Sequence, residues 1–242
     1  IINKSNIMGF YRGPNIVTDG LVFAVDAGSE RSYPGSGTTT TSLVGSNTGT
    51  LTNGVGFNSG NGGYWDFDGV DDYITVGGIS TITSNLITVC TWVKRDADGW
   101  NGALFGFGTD ASSTQDIYFW GGDGSRQFGY NTWNGDSWGF TGSTATGEIM
   151  DGEWHYLTAV LNRSTITSSL IYVDGVSKSL SQVRGTTQTR TPSTNFGIGL
   201  NGWNGGSQLL NGNLANTFIY NKQLTQAEIT QNYNAQKSRF GL

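Results

Sequence analysis

Short apolar stretches, separated by glycine-rich and asparagine-rich segments, recur along almost the whole chain, and this spacing limits what the chain can fold into. Residues 21–25, 86–94 and 154–161 are clear examples. Stretches of this length that are rich in β-branched and aromatic residues are typical of strands, because amphipathic helices need longer periodic segments. Many short strands joined by turn residues indicate a β-sandwich or a β-barrel.

Alternation of side chains within these stretches supports the strand prediction. In 154–161, Trp154 and Tyr156 fall on one face of an extended chain, whereas His155 and Leu157 fall on the other. A period of two residues is the pattern expected for a strand with two different faces. The other predicted strands are residues 64–67, 73–76, 103–107, 117–120, 127–130, 137–140, 169–174, 196–200 and 214–220.

Turn and cap signals divide the rest of the chain. Residues 28–63 contain mostly turn-forming residues, so an irregular segment is predicted there. Asp174-Gly175 lies between β-branched residues and predicts a tight hairpin. Near the C-terminus, Thr225 is followed three residues later by Glu228, which is the pattern of a helix capping box. The sequence therefore predicts one helix, close to the end of the chain.

Taken together, these patterns predict an all-β protein, namely a two-sheet antiparallel jelly-roll sandwich with one short C-terminal helix. The 38 glycines are accompanied by 8 tryptophans, 10 tyrosines and 12 phenylalanines, and disordered chains are poor in such aromatic residues. All-β domains of 242 residues are common as single units. We predict an N-terminal arm or linker over residues 1–15, which are polar and irregular, and one jelly-roll domain over residues 16–242.

Charge and composition exclude several classes of partner and site. The net charge of −5 repels phosphate backbones, so no nucleic-acid partner is expected. No segment reaches the roughly 18 apolar residues that a membrane span needs, so membrane insertion is not expected. Cys90 is the single cysteine and His155 the single histidine. They exclude an internal disulfide and any metal site that needs several of either residue.

Residues for hydrolytic chemistry are scarce, and we predict that the protein is not an enzyme. Glycoside hydrolysis needs two carboxyl groups roughly 5 to 10 Å apart. The glutamates are Glu30, Glu148, Glu153 and Glu228, and the helix cap accounts for the last of them. His155 lies inside a predicted strand, and no nucleophile motif accompanies it. A strand histidine with one exposed side is the simpler interpretation.

Three aspartates, Asp68, Asp71 and Asp72, cluster in one predicted turn. Calcium prefers carboxylate and carbonyl oxygens, so the three aspartates are candidate calcium ligands and calcium is the candidate cofactor. Aspartate and glycine also form turns by themselves, with the carboxylate accepting hydrogen bonds from nearby N–H groups. The sequence leaves the metal site and the purely structural turn open.

The tripeptide Trp-Asn-Gly occurs at 100–102, 133–135 and 203–205, each time in a predicted turn. An aromatic ring beside amide and carboxylate groups suits the apolar C–H face and the hydroxyls of a sugar. If successive strands alternate in direction, the first and third copies lie at the same end of the sandwich. The resulting candidate glycan site contains Trp100, Asn101, Asp123, Trp203 and Asn204. The alternative is that Asn-Gly forms each turn while the tryptophan packs on the sandwich.

Several of these segments resemble one known family over residues 16–240. The pattern resembles the concanavalin A-like lectin/glucanase superfamily in its laminin-G-like branch. The resemblance implies the jelly-roll fold and by itself says little about function. In calcium-binding relatives an acidic residue precedes the last long strand, and the matching stretch 214–216 has none. The segments that carry the resemblance are 21–27, 67–74, 91–94, 152–156, 171–175, 212–215, 219–221 and 224–229.

Segments near both termini resemble laminin-G-like proteins of tailed bacteriophages; they are 13–21, 32–38, 232–235 and 239–241. This resemblance implies a non-enzymatic virion structural protein, either a capsid decoration or a fibre or tail-associated domain, located on the virion surface. Its partners would be other virion subunits, usually in a homo-oligomer, with weak binding of cell-surface glycans in addition. The alternative is a carbohydrate-binding, lectin-like module of a phage or bacterial surface adhesin, located outside the cell or on its surface.

Overall fold

The computed structural model describes residues 14–95, 102–108, 117–121, 127–131, 137–141, 149–184, 193–200 and 209–242. Within these ranges the chain forms two antiparallel sheets and one α-helix near the C-terminus, which confirms the predicted fold class. Sheet A contains β1 (Leu21–Asp26), β4 (Gly56–Asn58), β5 (Tyr64–Asp68), β7 (Leu86–Lys94), β12 (Trp154–Asn162), β13 (Leu170–Val173), β14 (Val176–Ser177) and β17 (Asn211–Tyr220). Sheet B contains β2 (Thr39–Thr41), β3 (Thr48–Thr52), β6 (Tyr73–Val76), β8 (Gly102–Phe107), β9 (Ile117–Gly121), β10 (Gln127–Asn131), β11 (Ser137–Thr141), β15 (Ser181–Arg184) and β16 (Phe196–Ile198).

The order of strands in each sheet brings distant parts of the sequence together. Sheet A runs β14-β13-β12-β7-β17-β5-β4, and β1 also pairs with β17. Sheet B runs β15-β11-β10-β9-β8-β16-β6-β3-β2. At the centre of sheet A, β7 pairs along its whole length with β12, from Leu86 opposite Asn162 to Lys94 opposite Trp154. The last strand, β17, lies between β7 on one side and β5 and β1 on the other.

The prediction of an irregular segment over residues 28–63 is wrong, because this segment contains β2, β3 and β4. These strands are short, and their stability depends on partners that are distant in sequence. Thr39 pairs with Thr50, and Thr50 pairs with Thr75 in β6. Threonine favours extended backbone, but a strand of so few residues cannot be recognised in sequence among the surrounding turn residues. Strand β15 was also not predicted, and β17 begins at Asn211 rather than at residue 214.

Two hydrophobic cores stabilise the fold, one on each face of sheet A. The first lies between the two sheets, where the rings of Phe107 and Phe196 approach to 4.8 Å. The second lies between the outer face of sheet A and the helix α1 (Gln226–Gln236) with the following 3-10 turn Lys237–Phe240. Sheet A is therefore covered on both faces, and Cys90, predicted to be a core residue, is fully buried in the second core.

The predicted capping box at the start of α1 is confirmed. Glu228 donates its backbone N–H to Thr225 Oγ1 at 3.3 Å, and Thr225 donates its backbone N–H to Glu228 Oε2 at 2.8 Å. The helix also holds the segment that precedes β1, because Val17 donates its backbone N–H to Asn232 Oδ1 at 2.7 Å. Residues 1–13 lie outside the described ranges, so the predicted N-terminal arm stays a prediction. Among the described residues, no helix is long and apolar enough to cross a membrane.

Arg239 ties the C-terminal end of the chain to the first strand. Its Nη1 donates to both carboxylate oxygens of Asp26 at 2.9 Å, its Nε donates to the carbonyl of Asn61 at 2.6 Å, and its Nη2 donates to the carbonyl of Gly63 at 2.5 Å. We call Arg239, Asp26 and the segment 61–63 the C-terminal clasp. Because the Arg239 and Asp26 side chains are only 12% and 19% exposed, this ion pair is largely shielded from solvent.

Candidate functional site: the rim at one end of the sandwich

Antiparallel pairing brings several strand ends of sheet B to one end of the sandwich. Gly102, the first residue of β8, pairs with Gly121, the last residue of β9. Ile198, the last residue of β16, pairs with Phe105 in β8, and the next residue, Gly199, donates its backbone N–H to the carbonyl of Leu104 at 2.9 Å. Three segments therefore join the described strands on the same side of the molecule. Two of them follow β9 and β16, and the third precedes β8.

Strand ends of sheet A lie at this same end. β5 ends at Asp68, which pairs with Asn211 at the start of β17. β7 ends at Lys94, which pairs with Asn213. The next residue, Arg95, reaches the start of β8, because a Cβ placed on Gly102 would lie 3.2 Å from its guanidinium. We use the name rim for this end of the sandwich. It is formed by the ends of β5, β7, β9 and β16 and by the starts of β6, β8, β10 and β17.

The glycan-binding residues predicted from the sequence, Trp100, Asn101, Asp123, Trp203 and Asn204, lie outside the described residues. The strand ends next to them are described, and all of these lie at the rim. By contrast, the segment that contains the second Trp-Asn-Gly copy begins after Asn131 and ends before Ser137, which pair with each other at the opposite end of sheet B. The glycan site itself stays a prediction.

A buried arginine, Arg95, lies at the base of the rim. It is 1% exposed, and burial lowers the pKa of its guanidinium to about 10, so the group stays charged at neutral pH. A Cβ on Gly212 would lie 2.7 Å from its Cγ, so both Gly102 and Gly212 leave room for this side chain. Sequence reasoning missed Arg95; the available signal was a charged residue directly after the apolar strand 86–94.

The β5–β6 connection forms a turn whose three aspartates all lie at the rim. Asp68 Oδ1 accepts hydrogen bonds from the backbone N–H groups of Val70 at 2.8 Å and Asp71 at 3.3 Å. Gly69 has a φ of 75°, which suits glycine. One carboxylate oxygen each from Asp68, Asp71 and Asp72 lies within 4.8 Å of the others. We call these three residues the acidic turn, and the structural interpretation of Asp68 as a turn former is confirmed.

Asp72 differs from the other two aspartates because it is buried. Its Oδ2 accepts a hydrogen bond from the backbone N–H of Asp68 at 3.3 Å, whereas its Oδ1 has no hydrogen-bond partner in the described part of the chain. Burial raises the pKa of this carboxyl group, and the charges of Asp68 and Asp71 raise it further. Asn53 lies in the β3–β4 connection. Its Nδ2 donates a hydrogen bond to the carbonyl of Asp71 at 2.8 Å and so closes the β5–β6 turn.

His155 connects two loops at the rim end of sheet A. Its Nδ1 lies 2.8 Å from Asp174 Oδ2, and its Nε2 lies 3.1 Å from Asp151 Oδ1. Its side chain is 14% exposed, so it is more buried than the half-exposed strand histidine expected from the sequence. Burial disfavours the charged imidazole, but the hydrogen bonds and charges of Asp174 and Asp151 outweigh burial and raise the pKa of His155. Both ring nitrogens are engaged, so His155 joins the loop that contains Asp151 to the turn that contains Asp174.

We expect the free energy of unfolding to decrease as pH rises above the ordinary histidine pKa of about 6.5. Because the pKa of His155 is raised in the folded state, its contribution is complete below that value and is lost as pH passes through the folded pKa. The contribution should be about 1 kcal/mol or less, as for other partly exposed ion pairs. Urea unfolding at a series of pH values should show this decrease for the wild type and a flatter profile for His155→Gln. Parallel pH profiles for the two proteins would contradict a contribution of His155 to the pH dependence.

A cavity of about 420 Å³ lies beside α1, away from the strand ends of the rim. Its charged residues are Asp26 and Arg239, which bind each other in the C-terminal clasp. Its polar groups are therefore already occupied by the fold, and we do not assign it a ligand. It is lined by Ile16, Asp26, Gly28, Leu43, Gly62, Phe218, Ala235, Gln236 and Arg239.

Comparison with solved structures shows which proteins share this fold. Trypanosoma rangeli sialidase in complex with sialic acid matches with a TM-score of 0.67 and 16% identity, over 94% of this chain and 35% of the sialidase chain. Domain 4 of AbnA, a GH43 extracellular arabinanase from Geobacillus stearothermophilus, in complex with arabinotriose, matches with a TM-score of 0.58 and 17% identity. This second match covers 88% of this chain and 98% of the arabinanase domain.

Sequence comparison identifies the family. A search of curated protein sequences finds no significant match. The family model for the concanavalin A-like lectin/glucanases superfamily, in its laminin G form, matches residues 67–230, which is more than half of the 242 residues. The matched region contains the acidic turn, Arg95 and most of the rim. The chain therefore belongs to the concanavalin A-like lectin/glucanases superfamily.

Proposed function

We propose that this chain is a non-catalytic carbohydrate-binding module that holds its ligand at the rim. The observation that carries this proposal is the likeness to domain 4 of the Geobacillus arabinanase, which is matched over 98% of its length and was solved with arabinotriose. That match covers most of this chain and nearly all of the arabinanase domain. The sialidase chains are much longer, since this chain spans 35% of the first of them.

The described surfaces favour the rim over the outer face of sheet A as the binding site. The outer face of sheet A is covered by α1 and the C-terminal 3-10 turn. At the rim, the residues Asp68, Asp71 and Asn211 are exposed. Amide and carboxylate groups of this kind form the hydrogen bonds that fix a sugar, while aromatic rings contact its C–H face. Trp100 and Trp203 are the proposed aromatic residues.

The described side chains support a binding role without hydrolysis. Glu30 lies in the loop after β1, Glu153 precedes β12, and Glu228 belongs to the helix cap, where it also binds Lys222 at 2.8 Å. These three glutamates lie in separate elements, so none of them is paired with another on one strand. We therefore propose that the module binds glycans without cleaving them. Release of reducing ends from a bound polysaccharide would contradict this.

The test is a glycan array followed by calorimetry with the best oligosaccharide. Trp100→Ala and Trp203→Ala should each weaken binding by about fivefold, because each removes an aromatic contact worth roughly 1 kcal/mol. Trp133→Ala is the matched control, since it changes the same tripeptide in a segment that joins sheet B at the opposite end. Absence of binding to every glycan, or equal losses in all three variants, would refute the proposal.

The structural role in a phage particle, inferred from the terminal segments, stays a prediction. It requires partners among virion subunits and a homo-oligomer, and it is compatible with glycan binding by the same domain. A carbohydrate-binding module fits a location outside the cell or on a surface. Loss of particle assembly on deletion of residues 1–15, with the fold retained, would support the virion role.

A further inference from the structure

We propose that His155 is a pH-sensitive latch, which holds the loop 149–153 against the base of the rim and so regulates glycan binding there. This inference rests on the proposed function, because it assigns regulation to the same site. Two carboxylates bind one imidazole, with Nδ1 2.8 Å from Asp174 Oδ2 and Nε2 3.1 Å from Asp151 Oδ1. We use the name latch for His155 together with these two aspartates.

A doubly protonated imidazole satisfies both carboxylates, whereas a neutral imidazole cannot. The imidazolium carries an N–H on each ring nitrogen and donates to both partners, but the neutral ring has one N–H and one lone pair. The ionised carboxylates of Asp151 and Asp174 can only accept hydrogen bonds. After His155 loses its proton, one of the two carboxylates therefore faces a lone pair, and the latch opens on that side.

The carboxylate that is released is that of Asp151. Asp174 is fixed beside the imidazole, because its other oxygen, Oδ1, accepts the backbone N–H of Tyr156 at 2.8 Å. The side chain of Asp174 is 29% exposed, whereas that of Asp151 is 37% exposed and can exchange the imidazole for water more easily. The remaining proton of His155 therefore stays on Nδ1, where it is donated to Asp174, and the lone pair of Nε2 faces Asp151.

The groups packed around His155 set the direction of the pH dependence. On the neighbouring strand β7, the residue opposite His155 is the apolar Val93, and Lys94, the next residue, belongs to the other face of sheet A. On α1, burial and then the charge of Asp174 raise the pKa of Tyr233, so this phenol stays neutral. Burial lowers the pKa of His155, but the two carboxylates outweigh burial and raise it. The latch is therefore closed at low pH and opens above the ordinary histidine pKa of about 6.5.

The loop that contains Asp151 carries this change to the base of the rim. Gly152, the next residue, donates its backbone N–H to the carbonyl of Arg95 at 2.9 Å. Arg95 in turn packs against Gly102 and Gly212, where β8 and β17 begin. The first proposed glycan-binding segment directly precedes β8 in the sequence. Release of Asp151 therefore loosens a support of the proposed binding site.

Hydrogen exchange of the full chain, followed by NMR at a series of pH values, tests the latch itself. The protection factor corrects the exchange rate for its intrinsic rise with pH. For the Gly152 amide it should fall by about two- to fivefold as pH passes through the pKa of His155. The Tyr156 amide, which donates to Asp174, is the matched control and should keep its protection. Constant protection of Gly152, or an equal fall for both amides, would overturn the proposal.

Calorimetry with the best oligosaccharide of the glycan array, at about pH 5.5 and pH 9, tests the regulation. The dissociation constant of the wild type should be about two- to fivefold higher at the higher pH. Asp151→Asn should bind equally well at both pH values, because an amide can accept from the imidazolium or donate to the neutral ring. His155→Gln has no titrating ring and should also be insensitive to pH.

The outcomes separate the regulation from the proposed function. Glycan binding of equal affinity at both pH values would overturn the regulation alone. A pH dependence that persists in both His155→Gln and Asp151→Asn would also overturn it, since another group would then be responsible. Absence of glycan binding at every pH would refute the proposed function and the regulation with it, whatever the exchange of Gly152 shows.

Discussion

Replacing Trp92 with alanine is expected to lower the free energy of unfolding by about 3 to 5 kcal/mol, the range for large aromatic residues removed from a core. Trp92 is fully buried on the outer face of sheet A. Its ring lies 4.1 Å from that of Phe240 and 5.9 Å from that of Tyr233, so it joins the sheet to the C-terminal segment. The capping box and the hydrogen bond from Val17 to Asn232 hold α1 in place, so the cavity cannot close easily.

Urea unfolding followed by circular dichroism measures this loss. Trp92→Phe should cost less than half as much as Trp92→Ala, because a ring remains and the Trp92 Nε1 has no hydrogen-bond partner to lose among the residues that the structure describes. The matched control is Phe57→Ala, since Phe57 contacts Tyr33 but is 37% exposed, and it should cost about 1 kcal/mol or less. Equal losses for Trp92→Ala and Phe57→Ala would show that the second core does not stabilise the fold.

Adding one methyl group to Gly28 is expected to lower the free energy of unfolding by about 3 kcal/mol, at the upper end of overpacking effects. A Cβ at this position would lie 1.9 Å from the carbonyl oxygen of Gly62 and 2.6 Å from Arg239 Nη2. Neither neighbour can retreat easily, because Arg239 is bound to Asp26 and to the carbonyls of Asn61 and Gly63. Gly28→Ala should therefore open the C-terminal clasp.

Gly77→Ala is the control for this prediction. No atom lies within 4 Å of a Cβ on Gly77, and its φ is outside the left-handed region. Its substitution should change stability by at most about 0.5 kcal/mol, or increase it slightly through the lower entropy of the unfolded chain. If Gly28→Ala and Gly77→Ala unfold at the same urea concentration, the close contact between Gly28 and Gly62 is not a stabilising feature.

The fold could be predicted from sequence wherever the signal is local. Alternation in 154–161, the Asp174-Gly175 turn and the Thr225 cap each depend on neighbouring residues, and the structure confirms them. The strands β2, β3 and β4 could not be predicted, because their pairing depends on β5 and β6 and their own residues are typical of turns. Non-local pairing overrides weak local preference in such segments.

The candidate site could also be predicted from sequence only in part. The three aspartates of the acidic turn look alike in sequence, and only the packing of β6 shows that Asp72 points inward while Asp71 stays exposed. The aspartates that hold His155 lie 4 and 19 residues away from it, so no single motif connects them. Arg95 could not be placed from sequence either, because its position depends on contacts with Gly102 and Gly212 in two other strands.

The position of β17 has a consequence for how the protein is made. This strand pairs with β1, β5 and β7, and its pairing with β1 joins residue 220 to residue 21. A ribosome synthesises the chain from the N-terminus, so the strand that joins these three partners emerges after all of them. Until then β1, β5 and β7 lack a neighbour and can pair with other chains, as exposed strand edges do. Sheet A therefore cannot be completed before β17 has emerged, and the nascent chain depends on protection of these edges until then.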